Sequence, residues 1–240
     1  MICHLCKNEC KLIKSHIIPE FFYGPLYDGK HRFHAISTDK KDKNALIQKG
    51  KRESLLCSRC DKKIGNWERY TRELFFGNKL NLKQSRYRKT FTIHGVNYKI
   101  FKLFQLSLIW RASISNDHFF RNVKLGPHEE IIRLMILNED PGIFYKYGAF
   151  LILLTDNNKP LDSLIMQPDL LRMDNYRVYR FVVGSAFWFY VISSHNDKFP
   201  AVSYFLQENG DLNMLIKEFS EIELFQEFGR RLFLAGKLDA

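Results

Sequence analysis

Cys3 and Cys6, and again Cys57 and Cys60, stand with two residues between them, and these four leave only one of the five cysteines unpaired. Two C-x2-C pairs supply four thiolates, the donor set of a tetrahedral structural Zn2+ site. The spacing lets both sulfurs of a pair reach one ion from a tight turn or a first helical turn. Two disulfides, or plain core cysteines, are the competing readings. No secretory signal opens the chain, which points to a reducing, cytoplasmic compartment where a metal is the better use of such pairs. Cys10 lies close by, but four ligands already complete the shell, so it is expected to be a spare thiol.

Further groups capable of chemistry lie between and just after the pairs. Ser15-His16-Ile17-Ile18-Pro19 ends a short mixed run that starts at Leu12 and reads as a strand closed by Pro19, which has no amide hydrogen for a ladder. From Ser58 to about Phe75 the pattern is helical. Ile64, Trp67, Thr71 and Leu74 recur at helical spacing and predict a buried stripe. Asp61, Gly65, Glu68 and Arg72 share another face, so two carboxylates lie about two turns apart with a glycine between them. A glycine in mid-helix costs about 1 kcal/mol against alanine. That cost is easier to accept if something must approach the helix there; an ordinary solvated face is the plainer alternative.

The net charge of +11 is unevenly distributed. Residues 1–91 hold 21 Lys and Arg against 9 Asp and Glu, a balance of +12, and residues 92–240 hold 16 against 17, a balance of −1. A basic part joined to a neutral one suggests a polyanionic partner, most simply nucleic acid. Lys40, Lys41, Lys43, Lys49, Lys51 and Arg52 cluster in a turn-rich stretch over 24–52, and with Arg72 they are the candidates for phosphate contacts that read no sequence. A solvated basic loop is the alternative. No membrane span is expected, because the charge-free run from Phe181 to Asn196 is shorter than the roughly 20 residues a crossing helix needs.

The remaining elements must carry these groups. Residues 77–97 are expected to be a basic connector with a short strand around Phe91–Ile93. Tyr98–Ile114 predicts a helix that is apolar round most of its circumference, central to a second domain over 98–240. A helix is predicted from about His128 to Leu137. Ala149–Thr155 with Leu161–Met166, and Tyr176–Val183 with Ala186–Ser193, predict two hairpins, the second turning at Gly184-Ser185. Leu212–Phe219 and Glu221–Leu234 predict two closing helices, with Gly236 as a stop. His94, His118, His128 and His195 are scattered and expected to be structural. The fold class is therefore α+β, a zinc module over 1–76 followed by a separate α+β domain with antiparallel hairpins.

Taken together, Cys3-x2-Cys6, Ser15-His16-Ile17-Ile18-Pro19 and Leu55-Leu56-Cys57-x2-Cys60 resemble the HNH nuclease family in its treble-clef form with four zinc cysteines. The resemblance covers roughly residues 1–75. It implies a ββα-metal fold, a hairpin and a helix with a catalytic divalent ion, Mg2+ or Mn2+, between them. His16 falls on the family's general base, which deprotonates the water that attacks phosphorus. Ser15 stands where the family has a metal-binding acid, Asp61 where it has a helix-start histidine, and Arg52 or Glu53 near its asparagine. The implied site is then His16 with Asp61 and with Glu68 or Glu53 as oxygen donors. The implied activity is cleavage of DNA phosphodiester bonds, with defence against foreign DNA as the biological setting and a target or protein partner engaged by residues 98–240. The alternatives are a zinc-bearing nucleic-acid-binding or regulatory protein without catalysis, and an interaction protein in which zinc is a stabilising staple.

Overall fold

The computed structural model describes residues 1–41, 43–77 and 89–237. β1 (Leu12–His16) pairs antiparallel with β4 (Arg52–Cys57), and β4 runs directly into α1 (Ser58–Phe76). Between β1 and β4, β2 (Phe33–Ala35) and β3 (Ala45–Ile47) form a separate two-stranded hairpin. It carries Lys40, Lys41 and Lys43 at its exposed tip, where a plain loop was expected. The predicted stripe of α1 holds, since Ile64, Trp67, Thr71 and Leu74 are buried.

α2 (Tyr98–Ile114) has the predicted bounds, and Asn97 caps it by accepting from the Ile100 amide at 3.0 Å. Everything from Phe101 to Ser113 is buried, two cations included, Lys102 and Arg111. α3 (His128–Asn138) follows. The strands β5 (Thr90–Ile93), β6 (Ala149–Asp156), β7 (Lys159–Pro160), β8 (Met166–Met173), β9 (Tyr176–Val183), β10 (Ala186–Val191) and β11 (Leu212–Glu218) form one sheet in the order 5-11-6-10-9-8, with β7 paired to β6. All pairings are antiparallel except β11 with β6. α4 (Glu223–Leu234) closes the described chain. The fold is thus mixed α+β with mostly antiparallel pairing, and no helix among the described residues is long and apolar enough to cross a membrane.

Two expectations need correcting. Leu212–Phe219 is a strand, not a helix: Leu212 and Met214 are buried on either side of Asn213, and the segment fills the slot between β5 and β6. Its Leu, Met, Lys and Glu favour a helix locally, but a vacant position in a sheet overrides local propensity. Leu161–Met166 is not the partner of β6 either. That role falls to the two-residue β7, after a turn with Asn157 and Asn158 at positive φ, and β8 begins only at Met166. The hairpin at Gly184-Ser185 forms as expected, with φ of 61° and 65°.

One buried cluster runs from Cys3 and Leu5 through Phe22, Ile64, Phe104 and Trp188 to Met214. A second, with Phe150, Phe187, Phe189 and Phe225, covers the other face of the sheet. Successive residues of β10 alternate between the two clusters, which is why its sequence is apolar throughout. The expected connector lies partly outside the described residues, at 78–88. On either side of it α1 and α2 pack together and share the first cluster. The join extends to the sheet: at Gly184 an added Cβ would lie 2.1 Å from the Phe22 ring.

A cysteine cluster and a half-buried histidine

The turn after Cys3 is set by backbone hydrogen bonds from Lys7 N to Cys3 O and from Cys3 N to Asn8 O, with Lys7 at positive φ. His4 N donates to Leu55 O, which brings this turn against β4. β4 delivers Cys57 to the N-cap of α1 and Cys60 to its first turn. The ligating sulfurs of Cys3, Cys6, Cys57 and Cys60 all lie within 4.8 Å of one another. A tetrahedron with metal–sulfur bonds of about 2.3 Å has edges of about 3.8 Å, so the set fits one ion.

Electrostatics favour the same conclusion. Burial opposes ionisation of Cys57, but hydrogen bonds from the Cys60 amide and the neighbouring thiols bring its pKa down to about 7. Burial, then a hydrogen bond with the Cys57 thiol and the charge of Cys3, pushes Cys60 up. Several thiolates can coexist here only with a cation among them, so the four cysteines can hold a metal ion. Cys10 stays outside the converging set and donates to Asn8 O at 3.4 Å. From the far side, buried Arg133 donates to the Leu5 carbonyl within the knuckle and pairs with Glu130.

His16 closes β1 opposite Arg52 and is half-buried. Glu20 Oε2 lies 2.7 Å from His16 Nε2, a close contact that becomes an ion pair only when the imidazole is protonated. The other oxygen of Glu20 accepts from Tyr27 Oη at 2.7 Å. Burial and then Glu20 push the Tyr27 hydroxyl up to about 12, so it stays a donor at neutral pH. His16 itself is lowered from the ordinary histidine value. Burial is the largest cause; Glu20 and Glu68 act to raise it, Arg52 and Arg111 to lower it. The net result is a neutral imidazole near pH 7.

Arg111 is 2% exposed and joins α2 to this site. Its Nη1 donates to the His16 carbonyl at 2.6 Å and touches Glu68 Oε1 at 2.7 Å. One guanidinium therefore fixes the end of β1 and a carboxylate of α1 together. Removing one partner of a buried pair costs about 3–5 kcal/mol because the other is left unpaired. Arg111→Met is expected to lose that much in urea denaturation, with the four clustered cysteines still present. A loss below about 1 kcal/mol would show that the contact carries little of the fold.

The other expected site residues are distributed differently. Asp61 is partly exposed on the first turn of α1, and among the described residues no hydrogen bond or ion pair engages it. Glu53 is held by Ser115 Oγ at 2.7 Å and by the Asn116 side chain at 2.9 Å. Among the described residues no second set of three His, Cys, Asp or Glu groups converges as the cysteines do, so His16, Asp61 and Glu68 are not gathered on one point. Lys40, Lys41, Lys43, Lys49, Arg52 and Arg72 are exposed, whereas Lys51 spends its charge on both Asp117 oxygens at 3.1 Å. Sequence reasoning missed Glu20, Tyr27 and Arg111. A charged residue in a helix apolar all round is a usable signal, because such a group is buried only when paired. No protein-family model, curated protein or solved structure matches the chain.

Proposed function

We propose that the chain is a zinc-stabilised, metal-dependent endonuclease of HNH-like type that cleaves phosphodiester bonds, most simply of DNA. The observation that carries this reading is the placement of His16. A neutral, half-buried histidine closes β1 opposite Arg52, at the end of the β1–β4 pair away from the start of α1, with the charges of Glu20 and of Glu68 on α1 close enough to act on it, in the part of the chain with the +12 balance. Zinc is the ion proposed for the four cysteines, in a treble-clef setting, because four thiolates are its usual structural donor set.

In this reading the His16 imidazole takes the proton of the attacking water. Glu20, steadied by Tyr27, favours the imidazolium that results, and Arg111 holds the His16 backbone in place. Mg2+ or Mn2+ would supply charge stabilisation on the phosphate. Hard oxygen donors are present in Asp61, which has no hydrogen-bond or ion-pair partner among the described residues, and in Glu68. Among the described residues they do not converge on one point with His16. Asp61→Ala is expected to raise the Mn2+ concentration needed for cleavage of a labelled duplex by roughly tenfold or more. An unchanged metal dependence would remove Asp61 from the ion's site. Defence against foreign DNA, and recognition of a target or protein partner through residues 98–240, extend the proposal by analogy of architecture.

A second reading is favoured by the same lack of convergence and by the engagement of Glu68 with Arg111. It is a zinc-bearing nucleic-acid-binding or regulatory protein without catalysis. Duplex binding without cleavage at any divalent-ion concentration would select it.

A further inference from the structure

The fold has sorted the charges around His16. The Glu53 carboxylate is taken by Ser115 and Asn116, Asp117 by Lys51, Glu68 by Arg111, and Glu20 by Tyr27 and His16. Two cations beside His16 are left over. Lys14 and Arg52 are exposed, and among the described residues neither side chain has a hydrogen-bond or carboxylate partner. Their placement follows from strand geometry. Arg52 sits directly across the hairpin from His16 and is near enough for its charge to act on both His16 and Tyr27. Lys14 precedes His16 by two positions, about 6.6 Å along the strand, on the same face, since the intervening Ser15 is buried.

We propose that Lys14 and Arg52 form a two-point clamp for backbone phosphates of a nucleic-acid strand, flanking the phosphate presented to His16. The proposal rests on the nuclease reading for the identity of that central phosphate, and on the two unneutralised cations for the clamp itself. Contacts of this kind orient a strand and carry no base information. A cation that neutralises one phosphate contributes about 0.9 to the slope of log affinity against log salt concentration on duplex DNA. An exposed pair with internal carboxylate partners would contribute nothing of the sort, which is why the expected contribution of Lys51 is small.

The test is fluorescence-anisotropy binding of the full chain to a labelled 20-base-pair duplex between about 50 and 200 mM KCl, all proteins carrying His16→Ala to prevent cutting. Lys14→Gln and Arg52→Gln are each expected to flatten the slope by about 0.9, and the double variant by about 1.8. At 100 mM salt each single change should weaken binding by about eightfold, which is that slope taken over one decade of salt. Lys99→Gln, an exposed lysine of α2 in the neutral part of the chain, should change neither quantity. Slopes unaltered in both single variants, or altered equally by Lys99→Gln, overturn the clamp. Cleavage with His16 restored separates the two ideas. Unchanged slopes in a protein whose cutting depends on His16 sink the clamp alone. A wild type that never cuts, yet loses slope stepwise through Lys14 and Arg52, keeps the clamp and sinks the nuclease reading.

Discussion

Cys57→Ser is expected to release the proposed zinc ion and unfold the first 76 residues, with a fall in Tm of roughly 10–20 °C for the whole chain. The size of the effect follows from what the cluster replaces. Among the described residues, the knuckle after Cys3 is held by its own turn hydrogen bonds, by hydrogen bonds with Leu55 and Cys57 of β4, and by Arg133. Cys3 and Cys60 are themselves members of the main buried cluster, so losing the ion opens the core from inside. In small zinc domains the binding free energy, about 10–16 kcal/mol, is folding free energy. The same change at Cys3, Cys6 or Cys60 should act alike, and Cys10→Ser should change neither metal content nor Tm. Metal analysis of the purified protein checks this. A full equivalent of zinc retained by Cys57→Ser, or lost by Cys10→Ser, would show that the ligand set is wrong.

His16→Ala carries the second large effect. With the fold, the zinc and duplex binding kept, cleavage should fall by roughly 10²-fold or more, the scale of a lost general base. Loss of a half-buried histidine leaves Glu20 with its Tyr27 hydrogen bond, so the local structure has a means of surviving the change. The pH dependence has a definite sign. Burial, the largest influence, holds His16 below the ordinary value of about 6.5 in the folded protein. The basic form therefore predominates at pH 7, and cleavage should decline as pH falls through that lowered value. Single-turnover rates from pH 5 to 8 measure it. A His16→Ala protein that cuts at the wild-type rate, or a wild-type rate that falls on going from pH 6.5 up to 7.5, would transfer the base role elsewhere.

The parts of the fold that could be read from residue spacing were those whose burial is one-sided or total over several turns. The stripe through Ile64, Trp67, Thr71 and Leu74 and the all-round apolar α2 are of this kind. The turn at Gly184-Ser185 was legible because both positions adopt positive φ, which few residue pairs tolerate. β11 was not, since seven residues rich in helix formers show only one buried alternation, from Leu212 through Asn213 to Met214. The four cysteines declared themselves by spacing. The surroundings of His16 did not, because they are assembled from three places. Glu20 follows on a 3-10 turn, Tyr27 reaches back to it, and Arg111 arrives from a helix 95 positions later in the chain. Nor does any pattern in residues 1–76 announce that Phe22 will seat against the turn at Gly184.

The most direct measurement is cleavage of plasmid DNA by the zinc-loaded wild-type chain with and without added Mg2+ or Mn2+. The proposed activity predicts nicked and linear product that appears with the divalent ion, scales with enzyme, and is absent from His16→Ala at matched concentration. Intact plasmid under every divalent ion, with the duplex nonetheless bound, would contradict it and leave a zinc-stabilised binding protein in its place.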